Sequence, residues 1–162
     1  MEIGDLLQLN SLHQGVIQFP HPVHSGSVAR LIDELTYFTT QKQLITGIIL
    51  YIMSEGGDTY AALGAYDILQ RSSIPVTGVV VGYAASAAST ILLQGCHQRH
   101  AFPNSRLLFH EARTYLSEVE DGHNQQRLID GASELAVVQQ VVQQILVDRT
   151  GQSPEIIQKL LT

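Results

Sequence analysis

Tryptophan is absent from this chain, and cysteine occurs once, at Cys96. A single thiol excludes an intrachain disulfide and suits a reducing compartment. Lysine is almost missing too: Lys42 and Lys159 are the only two. Nine basic residues stand against fifteen acidic ones, for a net charge of −6. That balance leaves no cationic stripe for a phosphate backbone, so no nucleic acid is expected as a partner. Polybasic attraction to a membrane surface is excluded on the same ground. Charged residues make up only 15% of the chain. So little surface charge implies that some apolar faces are covered by further copies of the chain.

The opening Met1-Glu2-Ile3-Gly4-Asp5 is acidic where a secretory leader is basic, so a cytoplasmic location is expected. Between Arg71 and Arg99 there is no Asp, Glu, Lys or Arg. Length alone would let that stretch span a membrane. Its composition reads otherwise: Pro75, Gly78 and Gly82 interrupt it, its first half is β-branched, and its second half is rich in Ala and Leu. A buried strand, a tight turn and a buried helix account for that switch.

What is present is ample apolar material, 44% of 162 residues. That suffices for one domain with its own core. Gly15–Phe19 reads as a short strand stopped by Pro20 and Pro22. A helix follows with Ser27 as its cap, running to about Thr40 with Val28, Leu31, Ile32, Leu35 and Phe38 on one face. Gly47–Met53 is a continuous apolar run, as in a strand buried on both faces. After Ser54-Glu55-Gly56-Gly57-Asp58 comes a helix over 59–70, then strand Val76–Val81 and helix Ser86–Gln94 ended by Gly95. Leu107–His110 reads as a strand, 111–124 as a polar loop or hairpin, and 125–149 as a long helix ended by Gly151. That helix carries apolar residues outside its main stripe, Val137 and Val141 among them. Ser153-Pro154-Glu155 has the cap, the proline and the acid of a helix start. Alternating strands and helices with apolar strands predict an α/β fold with a mainly parallel sheet.

Three places carry candidate chemistry. Gly56-Gly57 sits between a strand and a helix, where glycine lets main-chain N–H groups face a cavity and donate to a negative oxygen. A plain turn accounts for the same pair. Gly82-Tyr83-Ala84-Ala85-Ser86-Ala87-Ala88 sets a serine among small residues at a strand-to-helix junction. A turn exposing a nucleophile needs such neighbours, the helix start favours developing negative charge, and the Ala87 N–H is a natural oxyanion donor. The pattern Gly-x-Ser-x-Gly is absent, and Ser86 or Ser89 as a polar residue in a packed helix is the plain alternative. His110 closes an apolar strand, where a general base for serine would stand. The other histidines, at 13, 21, 24, 97, 100 and 123, fall in predicted turns or loops. Cys96-His97 with His100 lacks the carboxylate or further cysteine of a zinc site. Neither lysine lies in a motif, which disfavours a Ser-Lys dyad. Together the three places supply nucleophile, base and oxyanion donors for acyl transfer. No downstream carboxylate stands out as the acid that orients the imidazole.

In order and spacing these residues resemble the Clp protease proteolytic subunit, the ClpP family of serine peptidases. Ile52-Met53-Ser54-Glu55-Gly56-Gly57 is similar to the family's I-N-S-P-G-G, and Tyr66-Asp67 falls at its Y-D. Gly82-Tyr83-Ala84-Ala85-Ser86-Ala87 resembles G-x-A-A-S-M, Pro103-Asn104-Ser105-Arg106 matches P-N-S-R, and His110 follows at M-I-H-Q-P. Gly151-Gln152-Ser153 comes after the long helix as in T-G-x-S. The resemblance implies a crotonase-like α/β fold, with a head over about 1–110 and a protruding handle region over about 111–150. It implies Ser86 as nucleophile, His110 as base, and the N–H groups of Gly57 and Ala87 as oxyanion hole. Peptide substrate would lie as an added strand beside Gly56, Asp58, Glu111 and Ala112. Heptameric rings stacked in pairs through the handle helix, and an AAA+ unfoldase as partner, belong to the same implication. No cofactor and no metal are implied. The sequence departs from the family at Glu55 (for proline), Ala87 (for methionine) and Glu111-Ala112 (for Gln-Pro), and the segment before the handle is a few residues longer. The family's triad aspartate and closing strand fall beyond Thr162, and its N-terminal axial loop is barely represented. Two alternatives stand beside a peptidase: a catalytically impaired ring subunit of the same fold, and a crotonase-superfamily acyl-CoA enzyme.

Overall fold

A computed structural model describes residues 14–40, 45–113 and 125–162, with side chains in the long helix from residue 130 onward. The N-terminal residues with His13, Lys42, the 114–124 segment with His123, and the side chain of Leu128 lie outside the described residues. The chain divides into two compact units, residues 1–108 and 109–162.

The first unit is a sheet with helices. Strands β1 (Val16–Phe19), β2 (Ile48–Ser54), β3 (Val76–Ala85) and β4 (Gln98–Ala101) lie in that order, and β5 (Arg106–Leu108) pairs with β3. Every pairing is parallel. Ile17, Phe19, Ile48, Leu50, Ile52, Val76, Val80 and Ala84 are buried along it. Two helices connect the strands: α1 (Ser25–Thr40), which buries Val28, Leu31, Leu35 and Phe38, and α2 (Thr59–Gln70), which buries Ala62, Ala65 and Leu69. One acid lies on the buried side of α1: Glu34, whose Oε1 is 3.1 Å from Arg30 Nε.

β3 is longer than the sequence predicts, and the reason is a bulge. Ile52 pairs with Val80 but Ser54 pairs with Ala84, so four residues of β3 span two of β2. Gly82 sits inside that irregularity at φ +73°, where only glycine bends without strain. Before the bend β3 pairs with β4; after it, Tyr83–Ala85 pair with β5. The bend lets one strand hold two neighbours in succession and carries the chain to Ser86.

Four further expectations need correction. β2 alternates instead of being buried on both faces: Ile48, Leu50, Ile52 and Ser54 are buried, while Ile49 is 39% and Met53 43% exposed. Gln98–Ala101 is a strand, not a loop; it is polar because it is an exposed edge. The turn after Ser86 opens with a π-helical stretch, Ala88–Leu92, before the short α3, Leu93–Gly95. The cap of α1 is His24 instead of Ser27: its Nδ1 accepts from the N–H of Gly26 (3.1 Å) and Ser27 (3.2 Å). Ser27 Oγ donates to the Pro22 carbonyl at 2.8 Å.

The second unit holds α4 (Gln125–Thr150) and α5 (Pro154–Leu161). Val138, Val142, Ile145 and Leu146 of α4 are buried, with Ile157 and Leu161 of α5. Val137, at 60%, and Val141, at 39%, are exposed, off the buried stripe as the sequence predicts. The Gly151 N–H closes α4 on the Val147 carbonyl at 2.9 Å. Pro154 occupies the first turn of α5 behind Ser153, as expected.

Among the described residues no helix is long and apolar enough to cross a membrane. The uncharged 72–98 stretch is the strand, turn and helix its composition predicts.

Candidate active site

The site grows from two turns that follow β2 and β3. After β2 the main chain passes through Gly56 at φ +90° and Gly57 at φ +147°, both in the region that favours glycine. Val23 holds this turn like a short strand: its N–H donates to the Gly56 carbonyl at 2.8 Å, and its carbonyl accepts from the Asp58 N–H at 2.8 Å. That parallel pairing uses the groups on either side of Gly57 and turns the Gly57 N–H away from Val23. Ser54, fully buried, accepts the Gly56 N–H on its Oγ at 3.2 Å. Asp58 caps α2, its Oδ1 accepting from the Ala61 N–H at 2.6 Å. The Asp58 carboxylate is therefore engaged in helix capping.

After β3 the chain turns sharply at Ser86. Its φ of +54° makes it the only non-glycine residue with positive φ among the described residues. Such backbone costs about 1–3 kcal/mol and persists only where its surroundings enforce it. They do so here through main-chain bonds. The Ser86 N–H donates to the Leu108 carbonyl at 3.0 Å, and the Ser86 carbonyl accepts from the N–H groups of Ser89 (3.0 Å) and Thr90 (2.9 Å). The Thr90 hydroxyl adds a third bond to that carbonyl at 2.9 Å. Ser86 is half-buried, and Ala87 beside it is buried.

The two turns stack directly. A Cβ placed on Gly56 would lie 2.5 Å from the Ala85 carbonyl oxygen, 2.7 Å from Ser86 Cβ and 2.9 Å from the Ala87 nitrogen. Only a glycine admits that approach. Among the described residues the N–H groups of Gly57 and Ala87 have no protein acceptor. Serine hydroxyl, strained turn and two open amides thus belong to one small region of the first unit. Glu55 also lies there; its Oε2 accepts from the Tyr83 hydroxyl at 3.5 Å, and both side chains are exposed.

His110 belongs to the second unit, two residues past the end of β5 and not within the strand. Its Nδ1 is 2.5 Å from the Glu111 carbonyl oxygen. A carbonyl can only accept, so Nδ1 is the donor in that contact, and in the neutral tautomer it selects Nε2 is the acceptor. The Glu111 N–H donates to the Leu161 carbonyl at 3.1 Å, and the Ala112 N–H donates to Gln139 Oε1 at 2.8 Å.

Of the residues weighed as metal ligands, Cys96 is buried, and His97 clamps the start of β3. The His97 Nδ1 accepts the Val76 N–H at 3.1 Å, and the main-chain N–H of His97 donates to the Val76 carbonyl at 2.8 Å. Sequence reasoning passed over Val23 and the Leu108 carbonyl, which act through the main chain and leave no side-chain signal. It also treated Ser89 as an incidental polar residue. The spacing of hydroxyls at 86, 89 and 90 was the available hint.

The sequence pattern of the Clp protease family matches residues 5–162. The chain belongs to the Clp protease family. It is 32% identical over 151 residues, 93% of this chain and 64% of the relative, to an ATP-dependent Clp protease proteolytic subunit of Mesostigma viride. Another such subunit, subunit 1 of Rhodopirellula baltica, is 33% identical over 112 residues, 68% of this chain and 47% of the relative. One from Bacteroides fragilis is 40% identical over 89 residues, 49% of this chain and 43% of that protein. The chain spans just under two thirds of the length of the Mesostigma relative. Membership brings the crotonase-like α/β fold of the Clp proteases, and the parallel sheet with its flanking helices is that fold's core here.

Proposed function

We propose that this protein is a serine endopeptidase that hydrolyses unfolded peptides, with Ser86 as nucleophile and His110 as general base. One observation carries the reading: the strained Ser86 turn is packed on Gly56, with the N–H groups of Gly57 and Ala87 open beside it. The chemistry follows from those groups. Ser86 Oγ attacks the scissile carbonyl carbon while His110 Nε2 takes its proton. The carbonyl oxygen gains the negative charge, and the amides of Gly57 and Ala87 donate to it. Collapse breaks the C–N bond, and the imidazolium gives its proton to the leaving amine. Water then attacks the acyl-serine by the same route, with His110 again as base, and releases the acid.

The peptide would lie extended beside Gly56, Asp58, Glu111 and Ala112. The molecule would work as a self-assembled ring, with a head near 1–110 and a handle near 111–150, in the cytoplasm. Exposed Ile49, Met53, Val137 and Val141 supply apolar surface for that assembly. An AAA+ unfoldase as partner accords with the names of the relatives, which are subunits of ATP-dependent proteases.

A fluorophosphonate probe tests the reading. Ser86 is expected to become labelled, and Ser86→Ala to abolish labelling while the circular-dichroism spectrum stays unchanged. A folded wild-type chain that resists the probe would instead favour a structural ring subunit. Resistance together with thermal stabilisation by acyl-CoA would favour a crotonase-type enzyme.

A further inference from the structure

Ser89 is fully buried, three residues beyond the nucleophile's turn. Its Oγ lies 2.5 Å from the Leu108 carbonyl oxygen and 3.0 Å from that of Ser86. One hydroxyl proton serves one acceptor well, and the shorter contact is with Leu108. The same Leu108 carbonyl accepts the Ser86 N–H at 3.0 Å. Leu108 is the last residue of β5, and the chain runs on from it through Phe109 to His110. A single carbonyl at the end of that strand is thus shared by the nucleophile's own amide and by a buried hydroxyl one turn further on.

Thr90 makes a useful contrast. Its hydroxyl bonds the Ser86 carbonyl at 2.9 Å, which the Thr90 N–H already does at 2.9 Å. That bond ties the turn to itself and reaches no other element. The Ser89 bond crosses from the turn to a different strand.

We infer that Ser89 is a positioning residue for the peptidase proposed above: its hydroxyl, donated to the Leu108 carbonyl, locks the Ser86 turn to the strand that leads to His110. Ser89 touches no substrate. It acts by holding the Ser86 backbone at its positive φ and by fixing the point from which the chain departs toward the base. The inference rests on the peptidase reading, and its test separates the two.

Three measurements on the whole chain decide it: the rate of Ser86 labelling by fluorophosphonate, kcat and KM on an unstructured peptide, and amide hydrogen exchange at Ser86. In Ser89→Ala, labelling and kcat should fall about five- to tenfold, the worth of one hydrogen bond. KM should stay within about twofold, because no substrate contact is lost. Exchange at the Ser86 amide should quicken. Ser89→Thr, which keeps the hydroxyl, should recover most of the rate, and Thr90→Val, which loses only a bond within the turn, should slow labelling clearly less than Ser89→Ala. If Ser89→Ala does not fold, the near-isosteric Ser89→Cys, a weaker donor, should fold and label several-fold slower. Wild-type labelling in Ser89→Ala or Ser89→Cys, a loss borne by KM, or an equal loss in Thr90→Val would overturn the role. Should the wild type itself resist the probe, the peptidase reading fails, and Ser86 amide exchange still decides whether Ser89 anchors the turn.

Discussion

Gly56 shows how much a single missing side chain accomplishes. Its positive φ and its contact with Ala85, Ser86 and Ala87 both exclude a Cβ. Gly56→Ala is therefore expected to lower stability by about 2 kcal/mol or more, read as a shift in urea midpoint. Ser86 labelling should be lost with it, because the two turns can no longer stack. Ser86 depends on bonds made elsewhere, by Leu108, Ser89 and Thr90. Small residues around both positions are visible along the chain, so the candidate nucleophile and the candidate oxyanion donors could be named from it. The bonds that hold Ser86 in place could not, because Leu108 takes part through its main chain.

At the scale of elements, β1, β2, the helix over 59–70 and the C-terminal helices announce themselves by apolar runs, glycine breaks and a proline at a first turn. Gln98–Ala101 did not, since an edge strand needs no apolar alternation and its identity comes from pairing with β3. The bulge at Gly82 was also hidden, because a register shift is a relation between two strands. The start of α5 offers a quantitative check. The Ser153 side chain and the main-chain N–H of Glu155 both hydrogen-bond the Glu155 carboxylate and hold its pKa below the ordinary value of 4.5. A depressed folded-state pKa stabilises the fold above the unfolded value, and that contribution is lost as pH falls through the folded one. Glu155→Gln should therefore melt below the wild type near neutral pH. The gap should close once the pH drops beneath the folded pKa, in thermal melts run between pH 7 and pH 2.

For the whole molecule, the low charge content implied covered apolar faces, and the structure identifies which ones stand open. Ile49 and Met53 on β2, and Val137 and Val141 on α4, are exposed. The proposed assembly predicts that the wild-type chain elutes well above 17.8 kDa in light-scattering chromatography. Val137→Glu combined with Val141→Glu should shift it toward smaller species. Far-ultraviolet dichroism should stay unchanged, since neither side chain is part of the buried stripe. An unchanged mass distribution would remove α4 from the assembly surface.

Local chemistry settled much of this protein in advance. Apolar runs and glycine breaks dictate parallel strands alternating with helices, because each depends on neighbours a few residues apart. They also mark Gly56, Gly57, Ser86 and Ala87 as residues able to carry acyl-transfer chemistry. Three-dimensional packing alone decided that the two turns stack and that Val23 turns the Gly57 amide outward. It also decided that the Leu108 carbonyl serves both Ser86 and Ser89. Those are contacts between segments far apart in the chain, made by backbone groups identical in every residue, and composition carries no trace of them.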